Sequence, residues 1–279
     1  MDEITPIVGV IMAISAFITY KGLGNRSFFR DNAFNVDAIL VGKDYKRLIM
    51  SGFLHADWGH FGFNMITLFF FGPMLEETIG IPWFLVVYLG SLIGGNLFAL
   101  YIHRNHPNYT AIGASGAVSG IVFASIAMFP GMTLGLIFFP YLPSWVFGLL
   151  YVLYSIYGMR KKSDNIGHEA HLGGGIAGLL LVLVYAPQML FINYIPILFI
   201  LIPSVIFLIL IVVKPEILLI DKPFRRKKNQ SINLTRDQRY NTDKAQKQRE
   251  INALLDKIGE RGMESLTQVE KDRLKELTK

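Results

Sequence analysis

Ala114-Ser115-Gly116-Ala117-Val118-Ser119-Gly120-Ile121-Val122-Phe123-Ala124-Ser125-Ile126-Ala127-Met128-Phe129 contains no charge, and every residue in it is apolar, glycine or serine. Such a run reads as a short membrane span, and its Gly116-x-x-x-Gly120 step is a small-residue surface that lets two membrane helices approach closely. The step recurs as Gly174-x-x-x-Gly178 within a second stretch, Ala170–Ala186. Five more apolar stretches, Ile4–Tyr20, Phe61–Leu75, Trp83–Ile102, Thr133–Tyr157 and Ile195–Val213, approach the length a helix needs to cross a bilayer, about 20 residues. The chain therefore reads as all-α, a polytopic membrane helix bundle of seven spans.

Composition agrees. Of 279 residues, 52% are apolar and 17% charged, against about 45–50% and about 25% in soluble domains. That balance excludes an ordinary soluble domain, a disordered chain and collagen. Cysteine is absent, which removes disulfides, thiolate metal sites and a cysteine nucleophile. Residues 1–220 carry 11 basic and 11 acidic side chains, whereas 221–279 carry 16 and 10, so the net charge of +6 lies in the tail. The domain reading is a six-helix membrane region over 1–190, an additional seventh span over 191–214, and a basic soluble tail over 215–279.

The acidic start, Met1-Asp2-Glu3, differs from the positive opening of a secretory signal, so the first span is expected to stay. The connection from Lys21 to Gly59 is long and apolar in places, which suits either an interface-leaning segment or a mobile loop. In the tail, Ile251, Leu254, Leu255 and Ile258 follow helical spacing, and Thr267-Gln-Val-Glu270 has capping-box form. Two readings follow: a small soluble helical hairpin, or a segment that folds on an unknown partner. Its mixed charge is poorly suited to nucleic acid, and Arg225-Arg226-Lys227-Lys228 suits anionic lipid headgroups.

Four segments at span ends hold nearly all the unusual polar side chains: His60-Phe-Gly-Phe-Asn64, Glu76, Gly113-Ala-Ser115-Gly116 and Ala170-His171-Leu-Gly-Gly174. Short connections make even-numbered spans parallel, so His60, Asn64, Ser115 and His171 can converge at one face. Serine is a weak nucleophile without a base in reach, and neutral imidazole is suited to that work near pH 7. Ser115 and His171 are accordingly the candidate nucleophile and base. His60 and Asn64, four apart on one helix face, can aim donors at a developing oxyanion, joined by the Ser115 N–H at a helix start. Gly113, Gly116, Gly120, Gly174 and Gly178 are read as close-packing positions. Singly, each residue has an ordinary reading: serine bonds back to its own turn, and His55, His103 and His168 sit at the interface. His55 and His168 are also candidates for a supporting role.

Together the three motifs, in this order between about Lys46 and Gly178, resemble the rhomboid family of intramembrane serine proteases. The resemblance implies a six-span core, a Ser–His dyad lacking an acid, cleavage of membrane-spanning protein substrates near their membrane segment, and no cofactor and no metal. By position it makes Ser115 the nucleophile, His171 the base, His60 and Asn64 the oxyanion donors, and Arg47 and Glu76 anchors of the first long loop. The seventh span and tail resemble extensions found in some members. Two positions depart from the family pattern: Lys46 stands where tryptophan is usual, and Ser119 where an aromatic residue usually packs against the base, with Phe123 one turn further on.

The resemblance also implies the lipid bilayer of a bacterial inner membrane, with the catalytic mouth outward. Every Lys and Arg lies in the first, third and fifth connections or after the last span, and the positive-inside rule would place tail and mouth in the cytoplasm. Both orientations stand open on the sequence. Two other functions compete: a catalytically inactive rhomboid-like protein that binds membrane clients, and a transporter, for which midplane charges are scarce.

Overall fold

The computed structural model describes residues 4–136, 139–161 and 166–213, and in the tail 251, 254–255, 257–259, 265–267, 270–272 and 274. The chain divides into two compact units, Met1–Phe224 and Arg225–Lys279. In the first, helix α1 (Pro6–Gly24) leads to α2 (Arg26–Asn32), strand β1 (Phe34–Asn35), α3 (Val36–Leu40) and α4 (Arg47–Met50). There follow α5 (Trp58–His103), β2 (Thr110–Ala111) and α6 (Ser115–Met128). Strands β3 (Thr133–Leu136) and β4 (Phe139–Pro143) precede α7 (Ser144–Lys161), α8 (His168–Tyr185), α9 (Met189–Ile192) and α10 (Tyr194–Val213).

Unbroken, the 46 residues of α5 would run for about 69 Å, twice a bilayer core. Gly80 breaks them with φ 75° and ψ 160°, a backbone state that glycine adopts without the penalty of a Cβ. Pro82 follows at once. The chain then folds back, because a Cβ on Gly72 would lie 3.6 Å from Phe84 Cζ. Among the described residues, α1, α5, α8 and Tyr194–Ile211 are long and apolar enough to cross a membrane.

Helix α6 is different. It has 14 residues, about 21 Å of rise, and every residue from Gly116 to Ala127 is buried. A helix apolar all round belongs inside protein. Glycines make the enclosure tight. A Cβ on Gly174 would lie 2.2 Å from Gly116 O, one on Gly178 2.4 Å from Gly120 Cα, and one on Gly95 2.4 Å from Ala170 O. The second half of α5, α6 and α8 thus meet backbone to backbone.

The connection between the first two spans folds into short elements with a core of their own. Strands β1 and β2 pair antiparallel, and Phe34, Val36, Ile39 and Ala99 form a small core beneath them. Arg47 holds the segment, its Nη1 donating to Arg30 O at 2.7 Å and Ala33 O at 2.8 Å while Nε donates to Asp44 at 2.9 Å. Lys46 is an exposed N-cap residue of α4, 4.0 Å from Asp44.

Two expectations are corrected here. The stretch Thr133–Tyr157 is not one helix: its first part is the β3–β4 hairpin, with Thr133 opposite Pro143 and an irregularity between Leu134 and Leu136. Pro140 and Pro143 lack the N–H a helix interior requires, so helix begins only at Ser144. Glu76 does not anchor the long loop either. Its carboxylate accepts from Thr5 Oγ1 at 2.5 Å, Ile7 N at 3.1 Å and Val8 N at 3.0 Å, capping the first turn of α1 where unsatisfied N–H groups and the helix dipole favour an anion. Glu76→Ala leaves those donors buried, and is expected to lower stability by about 3 kcal/mol, measured as an earlier unfolding midpoint in detergent, with Glu76→Gln in between.

In the second unit Thr267 and Glu270 cap each other, with Thr267 N donating to Glu270 Oε2 at 2.8 Å and Glu270 N to Thr267 Oγ1 at 3.3 Å. Lys257 Nζ reaches the same carboxylate at 2.7 Å, and these contacts, Lys257 foremost, hold Glu270 down to about 2. The basic cluster at 225–228 lies outside the described residues.

Candidate active site

Ser115 opens α6 after a tight turn. Gly113 has φ +121° and donates its N–H to Ser51 O at 2.9 Å. A Cβ there would lie 2.8 Å from His60 Cε1 and Nε2 and 3.7 Å from Ser115 Oγ. Gly113 is therefore a turn residue on which the His60 imidazole rests, not the helix-packing position expected. Asn96 braces the same turn, its Nδ2 donating to Leu48 O at 2.8 Å and Ser51 Oγ at 3.2 Å.

Ala114 N–H donates to His55 Nε2 at 3.4 Å, and His55 Nδ1 lies 2.9 Å from Thr19 Oγ1, which donates to Phe53 O at 3.2 Å. A backbone N–H can only donate, so Nε2 accepts and His55 is neutral with its proton on Nδ1. Burial, with His60 beside it, lowers His55 to about 4. Because the folded value lies below the ordinary 6.5, this group's stabilisation is complete above pH 6.5 and is lost as pH falls toward 4, about 3 kcal/mol in all. Unfolding midpoints taken from pH 7.5 down to 4.5 should fall less steeply for His55→Gln than for wild type.

His171 lies in the first turn of α8, and its Nε2 is 2.6 Å from Ser115 Oγ. The imidazole stacks offset on Tyr151, with centroids 5.8 Å apart and planes 20° off parallel, and His168 meets it edge-on at 5.9 Å. Phe123 does not face His171; it packs on Gly175 and meets Tyr151 edge-on at 6.0 Å. Asn64 is buried, and its Nδ2 donates to His60 O at 3.0 Å, one turn back. The structure thus brings Ser115, His171 and His60 to one point with Asn64 a turn away. Arg47 and Glu76 serve elsewhere.

The three histidines read as interfacial are all buried. His168 fills a slot at Gly158, where a Cβ would strike its ring. His103 stacks on Tyr109 at 3.5 Å, and its Nε2 lies 3.1 Å from Glu169 Oε1. Glu169 was missed by sequence reading, because it stands one residue before the apolar stretch Ala170–Ala186 and its partner His103 lies 66 residues away in the chain. Among the described residues, no three His, Cys, Asp or Glu gather as a metal site. A cavity of about 20 Å³ beside Ser115, bordered by Ser51, Asn96, Gly113 and Gly167, has room for about one water.

A hydroxyl in short contact with an imidazole, at a helix start inside an apolar bundle, places a polar pair within a helical membrane protein. Comparison with known proteins narrows the class. A family model described as Rhomboid domain matches residues 42–188, just over half of the chain, and the chain belongs to the rhomboid family. A second model, described only as a family of unknown function, matches residues 234–279. RHOMBOID-like protein 12, mitochondrial, of Arabidopsis thaliana is 30% identical over 184 residues, 60% of this chain and 54% of that protein. YdcA of Bacillus subtilis, named for the same family, is 30% identical over 63% of this chain and 86% of its own. Rhomboid protease AarA of Providencia stuartii is 28% identical over 54% of this chain and 59% of its own. The chain spans about half the length of the first of these relatives. Family and apolar helices together make it a multi-pass membrane protein, and the relatives come from bacterial and mitochondrial settings alike.

Proposed function

We propose that the chain is a serine-type intramembrane endopeptidase that cleaves membrane-anchored proteins in or near their membrane segment. The observation that carries this reading is the 2.6 Å contact between His171 Nε2 and Ser115 Oγ, supported by the protease named among its relatives.

In the proposed reaction, Ser115 Oγ attacks the scissile carbonyl carbon while His171 Nε2 takes the hydroxyl proton. The carbonyl π electrons move onto oxygen, and the oxyanion is received by the Ser115 N–H, with His60 and Asn64 as side-chain donors. His171 then returns the proton to the leaving amine as the peptide C–N bond breaks, leaving an acyl-enzyme. A water delivered by way of the small polar cavity gives its proton to His171 and attacks the acyl carbon. Collapse releases a carboxylic acid and restores Ser115. Irregular backbone at this depth is tolerated because it is protein-enclosed.

The test uses the full chain in proteoliposomes with a single-span reporter. Wild type is expected to release a soluble fragment and to take up a fluorophosphonate at Ser115, and Ser115→Ala to do neither. Equal release by Ser115→Ala overturns the reading. Reporter binding without release or labelling points to a client-binding member that performs no hydrolysis.

A further inference from the structure

We propose that Tyr151 of α7 is the positioning residue for the His171 imidazole, delivering from a neighbouring helix the aromatic face that Ser119 does not supply on the nucleophile's own helix. The proposal rests on the Ser115–His171 reading above.

Three observations support it. First, the ring belongs to a stack. Phe71 and Phe147 lie 6.1 Å apart with planes at 29°, Phe147 and Tyr151 6.0 Å at 23°, and Tyr151 and His171 5.8 Å at 20°. These separations fall within the range of offset aromatic pairs. Phe147 and Tyr151, four apart on α7, share one helix face, and Phe71 is on the same helix as His60 and Asn64. The stack thus runs from the helix of the candidate oxyanion donors to the candidate base.

Second, the Tyr151 ring cannot easily turn. Ser119 Oγ donates to Ser115 O at 2.6 Å and lies 2.7 Å from Tyr151 Oη. A serine hydroxyl has one proton, so Tyr151 O–H donates to Ser119. This chain of two hydrogen bonds ends on the carbonyl of Ser115 itself, tying the ring under the base to the residue bearing the nucleophile. Phe123 closes the ring's other side edge-on.

Third, the small side chain at position 119 is what makes room. A large ring there would contest the space around Ser119 Oγ that Tyr151 Oη reaches. Ser119 and the tyrosine 32 residues later thus work as a pair: the ring stands on α7, and the serine is its anchor.

The experiment measures the rate of fluorophosphonate labelling against pH for the full chain in detergent, alongside unfolding midpoints. Ser115→Ala is the first control; if it labels like wild type, the dyad reading fails, and that result is distinct from any result at Tyr151. Tyr151→Leu and Tyr151→Met remove the ring face, the second keeping more of the buried volume so that a folded variant is in hand. Each folded variant is expected to label about tenfold more slowly or worse, since small misplacement of a base is amplified in rate. Its rising pH limb should also move toward acid, because the imidazolium loses a π face that favours it. Tyr151→Phe keeps the ring and should stay within about threefold of wild type, an estimate resting on the modest worth of one neutral hydrogen bond. Wild-type rate and an unmoved limb in Tyr151→Met at an unchanged unfolding midpoint overturn the proposal, as does a Tyr151→Phe loss as large as that of Tyr151→Met.

Discussion

His171→Ala is expected to lower the rate of substrate cleavage at saturating substrate by about ten-thousand-fold, with KM and folding little changed. The argument is one of proton accounting. Ser115 Oγ must lose its proton as it attacks, and the base within contact is His171 Nε2 at 2.6 Å. General-base help of this kind is worth up to about ten-thousand-fold. The same imidazole protonates the leaving amine, so its loss strikes both halves of acylation, and residues that act as a unit fall together. The Ser115 N–H, His60 and Gly113 turn stay in place, since they are held by Ser51, Asn96 and His55 rather than by His171. Some activity above background should therefore survive. Single-turnover release of a reporter fragment measures the loss, and reporter capture by the variant shows that binding persists. A variant that cuts at the wild-type rate refutes the assigned base.

The meeting of Ser115 and His171 was legible because it follows from parity: two spans running in one direction start at one face, and paired glycine steps say their axes are close. The short, uncharged, serine- and glycine-marked run at 114–129 carried most of the fold, because a helix so small in its side chains suits an enclosed place. What escaped was whatever depends on partners far along the chain. Tyr151 is an ordinary aromatic in an apolar stretch until tertiary packing sets it under His171. Glu76 looked like a loop anchor because nothing local tells a carboxylate at a span end that its donors will be Thr5, Ile7 and Val8. Hydropathy read Thr133–Tyr157 as one helix, since apolar strands and apolar helix score alike, although Pro140 and Pro143 were there to object. The step Gly90-x-x-x-Gly94 escaped as well, although it has the same four-residue spacing as the other two helices, and its neighbour Gly95 lies against Ala170 O. The histidines at 55, 103 and 168 were placed at the interface by a rule about lone residues, and each is in fact buried, His55 beside Thr19 and the Ala114 N–H and His103 beside Glu169.

Gly174→Ala carries the other large effect, and here stability and activity should fall together. The added Cβ would stand 2.2 Å from Gly116 O, 2.7 Å from Gly116 C and 3.0 Å from Gly116 Cα. All three are backbone atoms of a buried helix, so no side chain can swing aside. Ordinary van der Waals contact begins near 3.4 Å, and α8 must therefore move away from α6 by about an ångström. That displacement has two consequences. Overpacking of a close-fitted interior costs about 1–3 kcal/mol, with the upper end expected where backbone opposes backbone, and it appears as an earlier unfolding midpoint. His171 also travels with α8, so a 2.6 Å contact to Ser115 Oγ opens past hydrogen-bond range, and cleavage should drop about a hundredfold in the protein that remains folded. Gly24→Ala supplies the contrast: a Cβ there meets nothing within 4 Å, so both quantities should hold. Should Gly174→Ala leave the midpoint and the rate intact, α6 and α8 are not in backbone contact, and the packing that delivers the imidazole to the serine is wrong at its centre.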